Sequence, residues 1–185
     1  MARDNIKVPF GYEPPDPRQG ERGTMWVYDS FEGYTAQELM QVLHTAEDRR
    51  FAKVVFYPLH EETLRRMDRS GAAEPMYRRV QLLEALLDES DTDIDWVIEN
   101  FEAKRKKYTP VDFAFRFLQE KYKGPHFAYV TQQMANRMAG YDTFEEWIKR
   151  IRLFIAEDGT GAGSGGLHPK LQEYEHRWER VLVRV

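Results

Sequence analysis

The sequence predicts an α/β fold built on a three-layer, doubly wound, mostly parallel sheet of about five strands. Three observations carry that expectation. Short apolar runs rich in aromatic and β-branched residues recur along the chain, at residues 24–28, 51–57, 94–98, 127–130 and 153–156. Stretches with helical spacing of apolar residues separate them. Connections of that length place helices on both faces of a sheet whose strands are buried and parallel. The chain of 185 residues is long enough for one domain with a substantial core.

Residues 1–23 are polar and punctuated by Pro9, Gly11, Pro14, Pro15, Pro17, Gly20 and Gly23, so they read as an extended N-terminal arm ahead of a single domain over residues 24–185. Val8, Phe10 and Tyr12 alternate within the arm and are suited to docking on an apolar surface. The first strand ends in a turn-forming cluster, Asp29 to Gly33. A helix starts near Thr35, with Glu38 three residues later as a capping box and Leu39, Val42 and Leu43 as its apolar face. The second strand is closed by Pro58. A charged stretch from His60 to Ala73 contains a short helical piece over residues 61–67. Pro75 opens a strong helix whose core face is Met76, Val80, Leu83, Leu86 and Leu87.

After the third strand, the run Lys104-Arg105-Lys106-Lys107 leads into a helix over residues 109–122, ended by Gly124-Pro125. Phe144, Trp147, Ile148 and Ile151 mark a further helix before the fifth strand. Residues 159–166 hold five glycines and read as a flexible or anion-binding loop. A last helix is expected over residues 169–178 and an edge strand over 181–185. Trp26 should be buried, and Trp96, Trp147 and Trp178 belong to core or interface.

Composition narrows the function classes. Hydrophobic residues are 42% and aromatics 14%, as in a folded domain. The net charge of −4 argues against a general nucleic-acid binder. Without cysteine the chain has no disulfide, thiolate metal site or cysteine nucleophile. No run approaches the length of a membrane span, and no apolar leader is evident, so the expected location is the cytoplasm. His44, His60, His126, His168 and His176 form no metal-ligand spacing. Asp91, Asp93 and Asp95 alternate but lack the glycine and terminal glutamate of a calcium loop, and they read as solvated. His60-Glu61-Glu62 also reads as a solvated loop, and no Gly-x-Ser-x-Gly nucleophile is present.

The turn after the first strand reads Asp29-Ser30-Phe31-Glu32-Gly33-Tyr34-Thr35-Ala36-Gln37-Glu38-Leu39. It is followed in order by Phe56-Tyr57-Pro58, the helical segment Arg78 to Leu87, Tyr108-Thr109 with Asp112, and Phe117-Leu118-Gln119-Glu120-Lys121-Tyr122. Tyr141 with Phe144 and Gly166-Leu167-His168-Pro169 come later. In order and spacing these segments resemble the nucleotidyltransferase superfamily that carries a His-x-Gly-His motif, most closely the nicotinate-nucleotide adenylyltransferases. The resemblance spans about residues 24–175.

It implies a Rossmann-like fold and ATP with Mg²⁺ as reactants. The reaction would be attack of a mononucleotide phosphate on the α-phosphate of ATP, catalysed by positioning and charge stabilisation. It also implies phosphate binding at Ser30 and Phe31, at Arg65 and Arg66, and at Gln132 and Gln133, which belong to the Thr131-Gln132-Gln133 that stands where the family has Gly-Ala-Asp. Arg78 and Arg79 flank the same variable loop, and for all four arginines a solvated helix face is the simpler reading. The departures are as informative. Thr35 and Glu38 stand at the two histidine positions, Gln37 replaces the intervening glycine, and the family's late Ile-Ser-Ser-Thr segment is missing. A carboxylate beside a triphosphate repels it by about 4 kcal/mol at about 4 Å and an effective dielectric of about 20. The expectation is therefore a divergent relative without ordinary adenylyl transfer, which binds a nucleotide or phosphate compound or serves as a protein-interaction or homo-oligomeric module. The alternative is an active adenylyltransferase with substitute residues. Thr35 with Glu38 reads most simply as a helix cap.

Overall fold

The computed structural model describes residues 22–69, 71, 73–157 and 166–181. Six parallel strands form one sheet in the order β3-β2-β1-β4-β5-β6, a doubly wound, Rossmann-like arrangement. The strands are β1 (Thr24–Asp29), β2 (Lys53–Pro58), β3 (Trp96–Ile98), β4 (His126–Thr131), β5 (Arg152–Ala156) and β6 (Trp178–Arg180). The helices are α1 (Ala36–Asp48), α2 (Glu61–Met67), α3 (Met76–Ser90), α4 (Phe101–Arg105), α5 (Val111–Lys121), α6 (Gln132–Ala139), α7 (Phe144–Arg150) and α8 (Pro169–Glu173).

The apolar runs of β1, β2, β4 and β5 are strands because they are buried on both faces, while β3 at the sheet edge is half-buried. In β1, Trp26 and Tyr28 point to one side and Met25 and Val27 to the other. Register carries the alternation across the sheet, since Trp26 sits beside Val55 and Ala128, and Val27 beside Phe56 and Tyr129. One layer packs α5, α6 and α7 on Trp26, Tyr57 and Val130, centred on Phe115, whose ring lies 5.4 Å from Trp26 and edge-on to Trp147 at 5.7 Å. The other packs α1 and α3, through Leu39, Leu43, Leu83 and Leu87, on Val54 and Phe56. Trp26 and Trp147 are thus core residues, while Trp96 and Trp178 are half-buried.

Several expectations are corrected in detail. The sheet has six strands, not about five. The sixth is Trp178–Arg180, which begins at the residue where the last helix was expected to end. That helix stops at Glu173, a 3-10 turn covers Glu175–Arg177, and only residue 181 of the expected edge strand is described. The reason is visible in Trp178, which donates its indole N–H to the Leu171 carbonyl at 2.7 Å while its backbone pairs with β5. The basic run after β3 is partly the helix α4. Helix α6 was not expected at all. Residues 1–21 of the arm and all of the glycine loop except Gly166 lie outside the described residues. Among the described residues no helix is long and apolar enough to cross a membrane.

Candidate functional site

In a doubly wound sheet, ligands bind at the carboxyl ends of the strands where the winding reverses. Here that point lies between β1 and β4. A cavity of about 240 Å³ opens there, lined by Asp29, Ser30 and Glu32 after β1, by Leu64, Met67 and Asp68 of the α2 segment, and by Thr131, Gln133, Met134 and Arg137 at β4 and α6. A second lobe of about 190 Å³ shares Asp29, Glu32 and Thr131 and adds Tyr34, Glu38, Gln41, Tyr129, Ala156 and Glu157. Taken together the two lobes approach the size of ordinary small-molecule sites.

The β1–α1 turn is held by its own side chains. Asp29 Oδ1 accepts the Phe31 N–H at 3.3 Å, and Ser30 Oγ accepts the Glu32 N–H at 3.1 Å. These bonds occupy the amides that a phosphate would use in this turn. Phe31 has a left-handed backbone, φ 60°, unusual for a bulky residue. Its ring compensates by burial against Tyr34 at 5.0 Å and Phe56 at 6.0 Å. Phe31 is therefore a core anchor for the turn, and it lines neither lobe.

Arg79 locks the turn from behind. It is buried, donates to the Ser30 and Leu59 carbonyls at 2.7 Å each and to the Glu74 carbonyl at 2.8 Å, and pairs with Glu61 at 2.9 Å. The solvated-face reading of Arg79 is thus replaced. The planar guanidinium supplies enough donors to tie β1, β2 and the entry to α3 together. Arg78 is exposed beside Tyr77.

Thr35 caps α1: its hydroxyl accepts the Glu38 N–H at 3.2 Å, the threonine half of a capping box. Burial and then the Asp29 charge push the Glu38 carboxyl above its ordinary range, against the pull of the Thr35 bonds. Burial first, then Asp29 and Glu38, also raise the Tyr129 hydroxyl. The lining is acidic. Asp29, Glu32, Asp68, Glu38 and Glu157 contribute carboxylates, and Arg137, 3.4 Å from Asp68, is the cation among the described lining residues.

Of the residues singled out in the sequence, Ser30 and Gln133 line the first lobe and Glu38 the second. Arg65 faces water and pairs with Glu62 at 2.6 Å, and Arg66 lies over the Tyr108 ring. Gln132 points to Arg180, accepting at 3.2 Å. His60 caps α2 through Nδ1, which accepts the Glu62 N–H, and Asp91, Asp93 and Asp95 are exposed as expected. Asp29, Asp68, Thr131, Tyr129 and Arg137 were missed. Asp29 at a strand's carboxyl end carries the one sequence signal. The others depend on which strand neighbours β1 and on the unexpected helix α6.

Among the described residues no group of three or more His, Asp or Glu side chains is placed to hold a metal ion. No protein-family model matches the chain, and no curated protein matches it.

Proposed function

We propose that this chain is a divergent nucleotidyltransferase-like protein that binds a nucleotide as its magnesium complex and does not transfer the adenylyl group. The observation that carries the reading is the acidic crevice at the β1/β4 switch point. Its position suits a nucleotide. Its carboxylates disfavour a bare phosphate chain, and among the described lining residues Arg137 is the single cation where the family has two histidines. A nucleoside triphosphate arrives with its own Mg²⁺, which offsets Glu32 and Glu38 without a preformed metal site. Arg137 and the N-terminal turn of α6 are the groups placed to meet residual negative charge.

Thermal unfolding with ATP in magnesium, and with ATP in chelator, tests the proposal, together with pyrophosphate release in the presence of nicotinate mononucleotide. At saturation near 100 times the dissociation constant, binding adds about 2.7 kcal/mol. For a domain of this size that raises Tm by roughly 5–10 °C. The expected result is such a shift with Mg-ATP only, without pyrophosphate release. Absence of any nucleotide shift overturns the binding, and robust release overturns the loss of catalysis.

A further inference from the structure

The chain is acidic overall, yet one end of it is not. Around the α4 C-terminus stand Lys104, Arg105, Lys106 and Lys107, with Arg66 of α2 beside them. Among the described residues none of these five has a carboxylate within 4.0 Å. Neighbouring cations differ: Arg116 pairs with Asp112 at 3.1 Å and Lys121 with Glu99 at 2.9 Å. Leaving five like charges together on an acidic protein costs self-repulsion that a partner of opposite charge relieves.

Aromatic rings run through the same face. Phe113 is 45% and Tyr108 38% exposed, large values for such side chains. Phe101 stacks on Phe117 at 4.0 Å and 8°, and lies parallel to Phe113 at 5.8 Å. Arg105 covers Phe113 at 4.3 Å, and Arg66 covers Tyr108 at 4.8 Å. One arginine therefore lies over each of the two exposed rings, which reduces the area on which nucleic-acid bases would stack. The cationic heads favour carboxylates, and the ring area still exposed on Phe113 and Tyr108 favours aliphatic side chains.

We propose that this α4/α5 face docks an acidic polypeptide segment with interspersed apolar residues. Carboxylates would meet Arg66, Lys104, Arg105 and Lys107, and an apolar side chain would rest on Phe113 and Tyr108. The docking is independent of the nucleotide reading, because none of these residues lines the two lobes of the crevice.

Fluorescence anisotropy at low salt tests it, where screening is weak. The probes are a labelled peptide alternating Glu and Leu, one alternating Glu and Ser, and oligothymidylate. The expected order is Glu-Leu tightest. Lys104→Glu with Lys107→Glu should weaken it by about tenfold or more, as loss of several charge contacts implies. Lys149→Glu, an exposed cation on α7, should leave it unchanged. Phe113→Ala should abolish the preference for Leu over Ser, a readout that charge alone does not move. Circular dichroism establishes that each variant is folded. Absence of peptide binding, an equal loss from Lys149→Glu, no preference for Leu over Ser, or tighter binding of oligothymidylate overturns the proposal.

Discussion

At the residue scale, the buried polar groups set the terms. Glu102 is fully buried on α4, where Oε1 accepts from the His60 N–H at 3.0 Å and from the Thr63 hydroxyl at 2.7 Å. Its Oε2 and the buried hydroxyls of Tyr28 and Tyr57, whose rings stack at 5.5 Å, have no hydrogen bond of good geometry among the described residues. Burial is the chief reason the Glu102 carboxyl is pushed above the ordinary value, opposed by the His60 and Thr63 bonds, by the Tyr57 hydroxyl and by the Arg105 charge. A raised carboxyl pKa means the folded state holds the proton more tightly than the unfolded chain. The ionisation penalty is absent in acid, grows as pH rises above the unfolded-state value, and is complete once pH passes the raised folded-state value. Glu102→Gln keeps an acceptor for His60 and Thr63 and removes that penalty. It should therefore gain stability relative to the parent as pH rises above the ordinary carboxyl range of about 4, read as a widening difference in urea midpoint that levels off once the folded parent has ionised. A difference that is flat with pH would show that Glu102 ionises without cost. Arg79, equally buried, is the opposite case: its donors are matched by three carbonyls and Glu61, so its charge is compensated where it stands.

At the element scale, the question is whether Thr35 is a cap or the relic of a catalytic position. The hydroxyl bond to the Glu38 N–H is a complete structural reason for threonine there, and Thr35 lines neither lobe. Thr35→Ala should cost about 1 kcal/mol of stability and leave the Mg-ATP shift unchanged, measured side by side by thermal unfolding. Loss of the shift at full stability would restore the ligand role. The same scale shows what was legible beforehand. Strands β1 and β2 announce themselves because burial on both faces demands an unbroken apolar run. The α1 cap is legible because capping is local chemistry. Helix α6 is not, since Gln132-Gln133-Met134-Ala135-Asn136-Arg137 carries a narrow apolar stripe on only eight residues. Its signals were Thr131, whose hydroxyl accepts the Met134 N–H at 3.2 Å, and Gly140 at its end. Phe31 reads as a turn residue near a phosphate site, but tertiary packing turned its ring into the core.

For the whole molecule, the crevice exists because β1 and β4 are neighbours although about a hundred residues separate them. No local pattern encodes that adjacency, which is why the carboxylates after β1 were visible singly and the site they form with Thr131 and Arg137 was not. The same sheet couples the two helical layers. Trp26 and Met25 are consecutive, yet they serve opposite cores, so neither layer can come away without exposing the back of the other. One cooperative unit is the consequence. Phe115→Ala strips a buried ring from the layer of α5, α6 and α7, where it touches Trp26, Tyr28 and Trp147. It should cost about 3–5 kcal/mol, a large part of the roughly 5–15 kcal/mol of a typical domain. Leu83→Ala makes the equivalent change in the opposite layer, at about 2–5 kcal/mol. In both variants urea unfolding followed by tryptophan fluorescence, which reports chiefly the Trp26–Trp147 layer, should coincide with unfolding followed by far-ultraviolet circular dichroism. Separate midpoints in Phe115→Ala, with fluorescence lost first while α1 and α3 persist, would show that the layers unfold independently and that the sheet does not transmit the damage across its two faces.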